Sequence, residues 1–174
     1  MSQLEFLKSK IQTKNQVQKT ISRWRLKGKT SVFTNGVFDI LHKGHITLLA
    51  KAAEEADYLV LGLNSDQSVR TLGKGPDRPI NSEYDRAYVL AALSSVDAVV
   101  VFNESTPYEL IKDLEPDVLL KGGDYDPNQR EKSAKDYIVG SDLQLAGGRK
   151  TISIDLVEGY STTSTIKKIA DGKD

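Results

Sequence analysis

The sequence predicts an α/β fold, a doubly wound parallel sheet with helices on both faces, preceded by a helical extension over residues 1–29. Three observations lead to it. Short runs that are almost wholly apolar alternate with helix-compatible stretches, the pattern of strands covered on both faces. Glycine-, asparagine- and hydroxyl-bearing segments follow those apolar runs. A chain of 174 residues with 39% apolar content also suits one core of ordinary size.

The first segment, Ser2 to Lys27, is polar and helix-compatible, with Leu4, Leu7, Ile11, Ile21, Trp24 and Leu26 as apolar anchors before Gly28 ends it. A strand is expected near 31–34, a helix near 45–55, a strand at 58–63, a helix near 83–93 and a strand at Ala98–Phe102. A helix near 107–114, a strand at 118–120, a helical stretch before Gly147, a strand at 151–156 and a last helix from about Thr163 complete the alternation. Residues 30–174 are therefore read as one domain, with no internal repeat or low-complexity segment.

Composition narrows the partners. Lysines and arginines number 24 and acidic residues 24, so nothing global attracts nucleic acid or an anionic membrane. The absence of cysteine removes disulfides and thiolate metal sites. The first 29 residues lack the apolar core of a signal peptide, and no apolar run is long enough to span a bilayer. A cytoplasmic protein without nucleic-acid or membrane partners is expected.

Ligands of open parallel sheets bind beyond the carboxyl ends of the strands, where the winding direction switches. Four segments answer that rule: 35–45 after the first strand, Asn64-Ser65-Asp66 after the second, Lys121-Gly122-Gly123-Asp124 after the fourth and Gly159-Tyr160-Ser161-Thr162-Thr163 after the last. All four are expected to converge on one crevice. The chain's two histidines, His42 and His45, both fall in the first segment, three residues apart and on one side of a helical turn. Gly36 permits close approach of backbone to ligand, and Gly44 opens a helix whose free N–H groups favour an anion. A core histidine plus a helix cap would explain such a pair about equally well. A zinc site with Asp39 would lack a further histidine or cysteine to complete its shell. Lys74 lies in a Gly/Pro-rich loop able to close over a polyphosphate, although surface exposure is the ordinary explanation for it, Lys121, Arg78 and Arg86 alike. The hydroxyls at 161–164 could cap the final helix or bind phosphate.

The run Phe33-Thr34-Asn35-Gly36-Val37-Phe38-Asp39-Ile40-Leu41-His42-Lys43-Gly44-His45, with its HxGH core, resembles the signature of the cytidylyltransferase-like nucleotidyltransferases. The likeness continues through 60–66, Arg78-Pro79-Ile80-Asn81, Arg86, 120–125 and 158–163, covering about 30–169. It implies a Rossmann-like sheet, the HxGH nucleotidyltransferase fold. Within that superfamily, Val118-Leu119-Leu120-Lys121-Gly122-Gly123-Asp124-Tyr125 resembles the heptose 1-phosphate adenylyltransferases of ADP-heptose synthesis. The glycerol-3-phosphate and phosphoethanolamine cytidylyltransferases are similar around HxGH but typically lack a lysine matching Lys121. Because only about thirty residues lie upstream, the stand-alone form rather than the one fused to a sugar kinase is expected. In one departure, the lysine of Leu72-Gly73-Lys74-Gly75 is displaced by one position.

The resemblance implies attack by a sugar 1-phosphate oxygen on the α-phosphorus of ATP, with pyrophosphate leaving and no covalent intermediate. With D-glycero-D-manno-heptose 1-phosphate the product is ADP-heptose, for cell-surface lipopolysaccharide. It makes His42, His45 and Lys121 catalytic. Nucleotide binding would fall to Thr34, Asn35, Gly36, Phe38, Gly44, Ser161, Thr162 and Thr163. Substrate binding would fall to Asp39, Asn64, Asp66, Lys74, Arg78, Arg86, Gly123 and Asp124. Mg²⁺ is expected, held mainly by the nucleotide phosphates rather than a protein metal site, and so is a homo-oligomer with Trp24 in its contact. Two alternatives stand beside this: a cytidylyltransferase using CTP and glycerol 3-phosphate, and a non-catalytic nucleotide-binding module.

Overall fold

A computed structural model describes residues 1–73, 75, 77–157, 159–162, 165, 166 and 172. Its strands are β1 (Ser31–Gly36), β2 (Tyr58–Asn64), β3 (Ala98–Phe102), β4 (Val118–Gly122) and β5 (Lys150–Ile154). Its helices are α1 (Gln3–Ser9), α2 (Lys14–Leu26), α3 (Lys43–Ala53), α4 (Asp66–Thr71), α5 (Glu83–Ala91), α6 (Tyr108–Leu114) and α7 (Ser141–Ala146). The strands form one parallel sheet in the order β3-β2-β1-β4-β5. The chain winds outward from β1 to β3, then returns to lay β4 on the other side of β1. The winding thus reverses between β1 and β4, where the rule for open sheets places a ligand.

The expected parallel α/β architecture is present, and its cause is visible in the strands. Leu59, Val60, Leu61 and Leu63 of β2 are all fully buried, because helices cover both faces. One face carries α3 and α5 through Leu48, Leu49, Ala52, Ala87 and Leu90. The other carries α2 and α6 through Val17, Ile21, Leu110, Ile111 and Leu114.

Three aspartates set the amino ends of the strands. Asp117, just before β4, accepts the Ser31 N–H at 2.8 Å, and Asp97, just before β3, accepts the Leu59 N–H at 2.8 Å. Asp57, just before β2, accepts the Thr30 N–H at 2.9 Å. Lys29 and these Thr30 contacts hold the Asp57 carboxyl down at about 2. Each carboxylate satisfies an N–H that no neighbouring strand reaches.

The N-terminal extension is two helices rather than a continuous stretch. Ser2 with Glu5 and Thr13 with Gln16 form reciprocal capping boxes that start α1 and α2. Between them Ile11 pairs with Val99 of β3. Val17 and Ile21 are 0% and 1% exposed, burial that stabilises by roughly 1.5–3 kcal/mol per side chain. Trp24 stacks on Tyr58 with ring centroids 4.1 Å apart. The short helix α4 was not expected; Ser65 caps it by accepting the Ser68 N–H. Lys74 and Thr163, the expected start of the last helix, lie outside the described residues.

Candidate functional site

The site begins where β1 ends. After Gly36 the chain turns so tightly that a Cβ there would stand 2.7 Å from the Phe38 ring. Phe38 itself has φ 47°, the left-handed region that favours glycine, a strain of about 1–3 kcal/mol that the surroundings must hold. They do so through Asp39. Its buried carboxylate accepts Arg78 Nε at 2.6 Å, the Ile80 N–H at 3.0 Å and the Asn81 N–H at 2.9 Å. Burial pushes the Asp39 carboxyl up, but the Asn81, Ile80 and Arg78 hydrogen bonds outweigh it and leave it below its ordinary value.

Arg86 ties the same turn to β2. Its guanidinium donates to the carbonyls of Asn81, Val37 and Asn64 and to Asp66 Oδ1, at 2.7–3.0 Å. All its reach is spent inside the protein.

His42 is the residue before the first turn of α3, and its side chain makes no capping bond. The N–H groups of Lys43 and Gly44 precede the first helical bond, from His45 N to His42 O, so both are open to an anion. The His42 and His45 rings stack with centroids 3.8 Å apart, and His45 lies 5.1 Å from Phe38. Burial lowers His42 below its ordinary value, and its Nδ1 has no hydrogen-bond partner among the described residues. A neutral His42 spares the stack two adjacent cations. Across the winding reversal, Lys121 Nζ donates to Asn35 Oδ1 at 3.0 Å and lies 5.8 Å from the Tyr125 ring.

Two cavities meet over these residues. One, of about 420 Å³, is lined by Asn35, Gly36, Phe38, Asp39, His42, Gly44, His45, Arg78, Lys121, Tyr160, Ser161 and Thr162, with Leu48, Gly122 and Leu156 as its apolar wall. A Cβ on Gly122 would come within 2.7 Å of Leu48 and 2.9 Å of Leu156, so the wall closes directly on that glycine. The other cavity, of about 380 Å³, is lined by Asn64, Leu72, Ser105, Thr106, Pro107, Tyr125, Lys135, Tyr137 and Ile138. Both share Asn35, Gly36, Val37 and Lys121.

Most of the residues singled out in the sequence are therefore gathered at one crevice, but not all. Thr34 is buried and lines neither cavity. Asp66 and Arg86 form the knot beneath it, Gly123 pairs its N–H with Ile154 O, and exposed Asp124 lines neither cavity. Sequence reasoning missed Leu48 and Leu156 in the first cavity and Ser105, Thr106, Lys135 and Tyr137 in the second. Ser105 and Thr106 could have been found, since they follow β3 as the other segments follow their strands.

Imidazoles, a lysine, hydroxyls and a helix start can stabilise charge on phosphorus without supplying a nucleophile. The class so defined is that of the nucleotidyltransferases. Residues 33–168 match the family model described as Cytidylyltransferase-like, and the chain belongs to that family. It is 52% identical over 163 residues, 94% of its length, to the Bifunctional protein HldE of Syntrophotalea carbinolica. To the Bifunctional protein HldE of Mesorhizobium japonicum it is 53% identical over 152 residues, 87% of its length. The matches cover 31% and 29% of those proteins, so the chain spans about a third of the length of these curated relatives. Among solved structures, a lipopolysaccharide core biosynthesis protein from Thermoplasma volcanium superposes with a TM-score of 0.57 at 28% identity, covering 77% of this chain and 100% of that one. Among the described residues no helix is long and apolar enough to cross a membrane.

Proposed function

We propose that the chain transfers AMP from ATP to a sugar 1-phosphate, D-glycero-D-manno-heptose 1-phosphate, yielding ADP-heptose and pyrophosphate. The observation that carries this reading is the meeting of two cavities along Asn35-Gly36-Val37 and Lys121, with both imidazoles facing the larger. ATP fits the larger: its triphosphate against His42, His45, the Gly44 N–H, Ser161 and Thr162, its base against Leu48 and Leu156. The sugar phosphate fits the smaller, which offers the hydroxyls of Ser105 and Thr106, the Asn64 amide and the Lys135 ammonium. Lys121, common to both, would neutralise the incoming phosphate.

A phosphate oxygen of the sugar attacks the α-phosphorus, and the bond from that phosphorus to the oxygen bridging to the β-phosphate breaks. The nucleophile is already ionised at neutral pH, so no general base is needed. Holding two anions in line can remove about 7–11 kcal/mol of barrier, and each preorganised donor roughly 2.7–4 kcal/mol more. The nearby carboxylates are engaged, Asp39 with Arg78, Ile80 and Asn81, and Asp66 with Arg86. This donor set fits Mg²⁺ carried on the triphosphate, where it would neutralise the departing pyrophosphate.

The choice of heptose rests on the resemblance of residues 118–125 and on relatives of about 50% identity. A pyrophosphate-release screen tests it, crossing ATP and CTP with heptose 1-phosphate anomers and glycerol 3-phosphate. Release with ATP and a heptose 1-phosphate is expected. Release only with CTP and glycerol 3-phosphate would replace the reading with a cytidylyltransferase, and ATP binding without release would replace it with a non-catalytic module.

A further inference from the structure

Residues 123–140 run from β4 to α7 without a helix or strand and carry Tyr125, Lys135, Tyr137 and Ile138 into the smaller cavity. Its own backbone pairing is one isolated bridge between Asp126 and Tyr137 and a few turn bonds. One side chain ties it to the neighbouring helices. Asp142, on α7, accepts Tyr137 OH on Oδ1 at 2.9 Å, and Tyr108 OH and Lys132 Nζ on Oδ2 at 3.1 and 2.6 Å.

The three donors come from different places. Tyr108 begins α6 and directly follows Thr106 and Pro107, which line the cavity from a different part of the chain. Tyr137 lines the cavity itself and is 8% exposed. The Lys132 side chain is 63% exposed, so its ion pair is screened and the two tyrosines are the firmer anchors. Burial pushes the Asp142 carboxyl up, yet the bonds from Lys132, Tyr137 and Tyr108 outweigh it and keep it below its ordinary value. It is therefore an anionic acceptor throughout the neutral range.

We propose that Asp142 is a positioning residue for the acceptor: by holding Tyr108 and Tyr137 together it fixes the spacing of the two parts of the chain that line the cavity and grip the sugar phosphate. The larger cavity takes no residue from this network. The proposal rests on the reading that the smaller cavity receives the sugar 1-phosphate.

The test uses Asp142→Asn, which keeps the size of the side chain but loses its charge, and Tyr137→Phe, which removes a single arm. In pyrophosphate release, Asp142→Asn is expected to raise the KM for the sugar 1-phosphate roughly tenfold, the scale of a small misplacement of bound substrate, with the KM for ATP nearly unchanged. Tyr137→Phe should raise it less, and the double variant should be no worse than Asp142→Asn, because both act through one contact. Without any substrate, hydrogen exchange should show amides of residues 123–140 losing protection in Asp142→Asn while those of β1 to β3 keep theirs. Equal rises in both KM values, additive single variants, or unaltered exchange over 123–140 would overturn the role of Asp142 alone. A wild type that turns over no sugar 1-phosphate would instead overturn the acceptor assignment together with the reading beneath it.

Discussion

Replacing Arg86 by leucine removes a guanidinium whose side chain is 0% exposed and which makes four hydrogen bonds of 2.7–3.0 Å. Three of its acceptors are backbone carbonyls that keep their place in the fold and would lose their donor. The fourth, Asp66, has a side chain 26% exposed and can be rehydrated. A hydrogen bond to a charged group contributes about 1.5–3 kcal/mol, but four around one group do not add. Breaking a buried ion pair by removing one partner costs about 3–5 kcal/mol, and rehydration of Asp66 argues against exceeding that range. A loss of about 4 kcal/mol is expected, and at about 2–4 °C per kcal/mol for a chain of this size Tm should fall by on the order of 8–16 °C. Urea unfolding measures it: the midpoint should move with little change in slope. Arg86→Lys keeps the charge but fewer donors and should lose about half as much. A leucine variant within about 1 kcal/mol of wild type would refute the argument, since even one orphaned buried acceptor costs that much. A lysine variant of full stability and no turnover would refute it differently, making Arg86 a substrate contact.

His45→Ala is expected to lower turnover about 10²- to 10³-fold, as for loss of one oxyanion-type donor, with an intact thermal transition; unchanged kcat in pyrophosphate release would remove His45 from the chemistry. Acid should destabilise the protein through His42. Burial holds it below its ordinary 6.5, so its contribution is present above that pH and is lost as pH falls through the depressed value. Melting curves from about pH 8 to 5 should show a decline that His42→Asn reduces. Asp39 acts with the same sign but lower, its contribution present above the ordinary 3.8 and lost as pH falls through its own depressed value. Gly122→Ala places a methyl 2.7 Å from Leu48 and 2.9 Å from Leu156. Overpacking of about 1–3 kcal/mol should follow, and the KM for ATP should rise while that for the sugar phosphate holds.

The sheet was legible because a parallel strand covered on both faces is apolar along most of its length, as residues 59–61 of β2 and the whole of β3 are. The convergence of 35–45, 121 and 161–162 was legible for a topological reason, since all lie at or beyond the carboxyl ends of strands. Helix α4 left no such mark: six residues with two buried, Ser68 and Val69, carry too little periodicity to read. Arg86 and Asp39 were visible as charged residues near a motif, but most of their partners are backbone groups 5 to 49 positions away, which no local pattern records. The walls built from residues 123–140 were illegible for a related reason. Tyr137 is placed by Asp142, and the tie runs through side-chain geometry rather than spacing of apolar residues.

The pairing of the link between α1 and α2 with Val99 bears on how the molecule behaves among its own copies. β3 is an outermost strand, and an open sheet edge offers unpaired N–H and C=O groups to which another chain can add. Here Val99 spends its N–H on Lys10 O at 2.8 Å and its C=O on Gln12 N–H at 2.9 Å. Lys10 adds its ammonium to the carbonyls of Val96 and Leu93 beside it. A proteolytic cut after Thr13 would leave every residue of both cavities in the chain, yet strip the plug from that edge. Such a product is expected to raise light scattering while still releasing pyrophosphate, because the exposed Val99 N–H and C=O would be open to another strand.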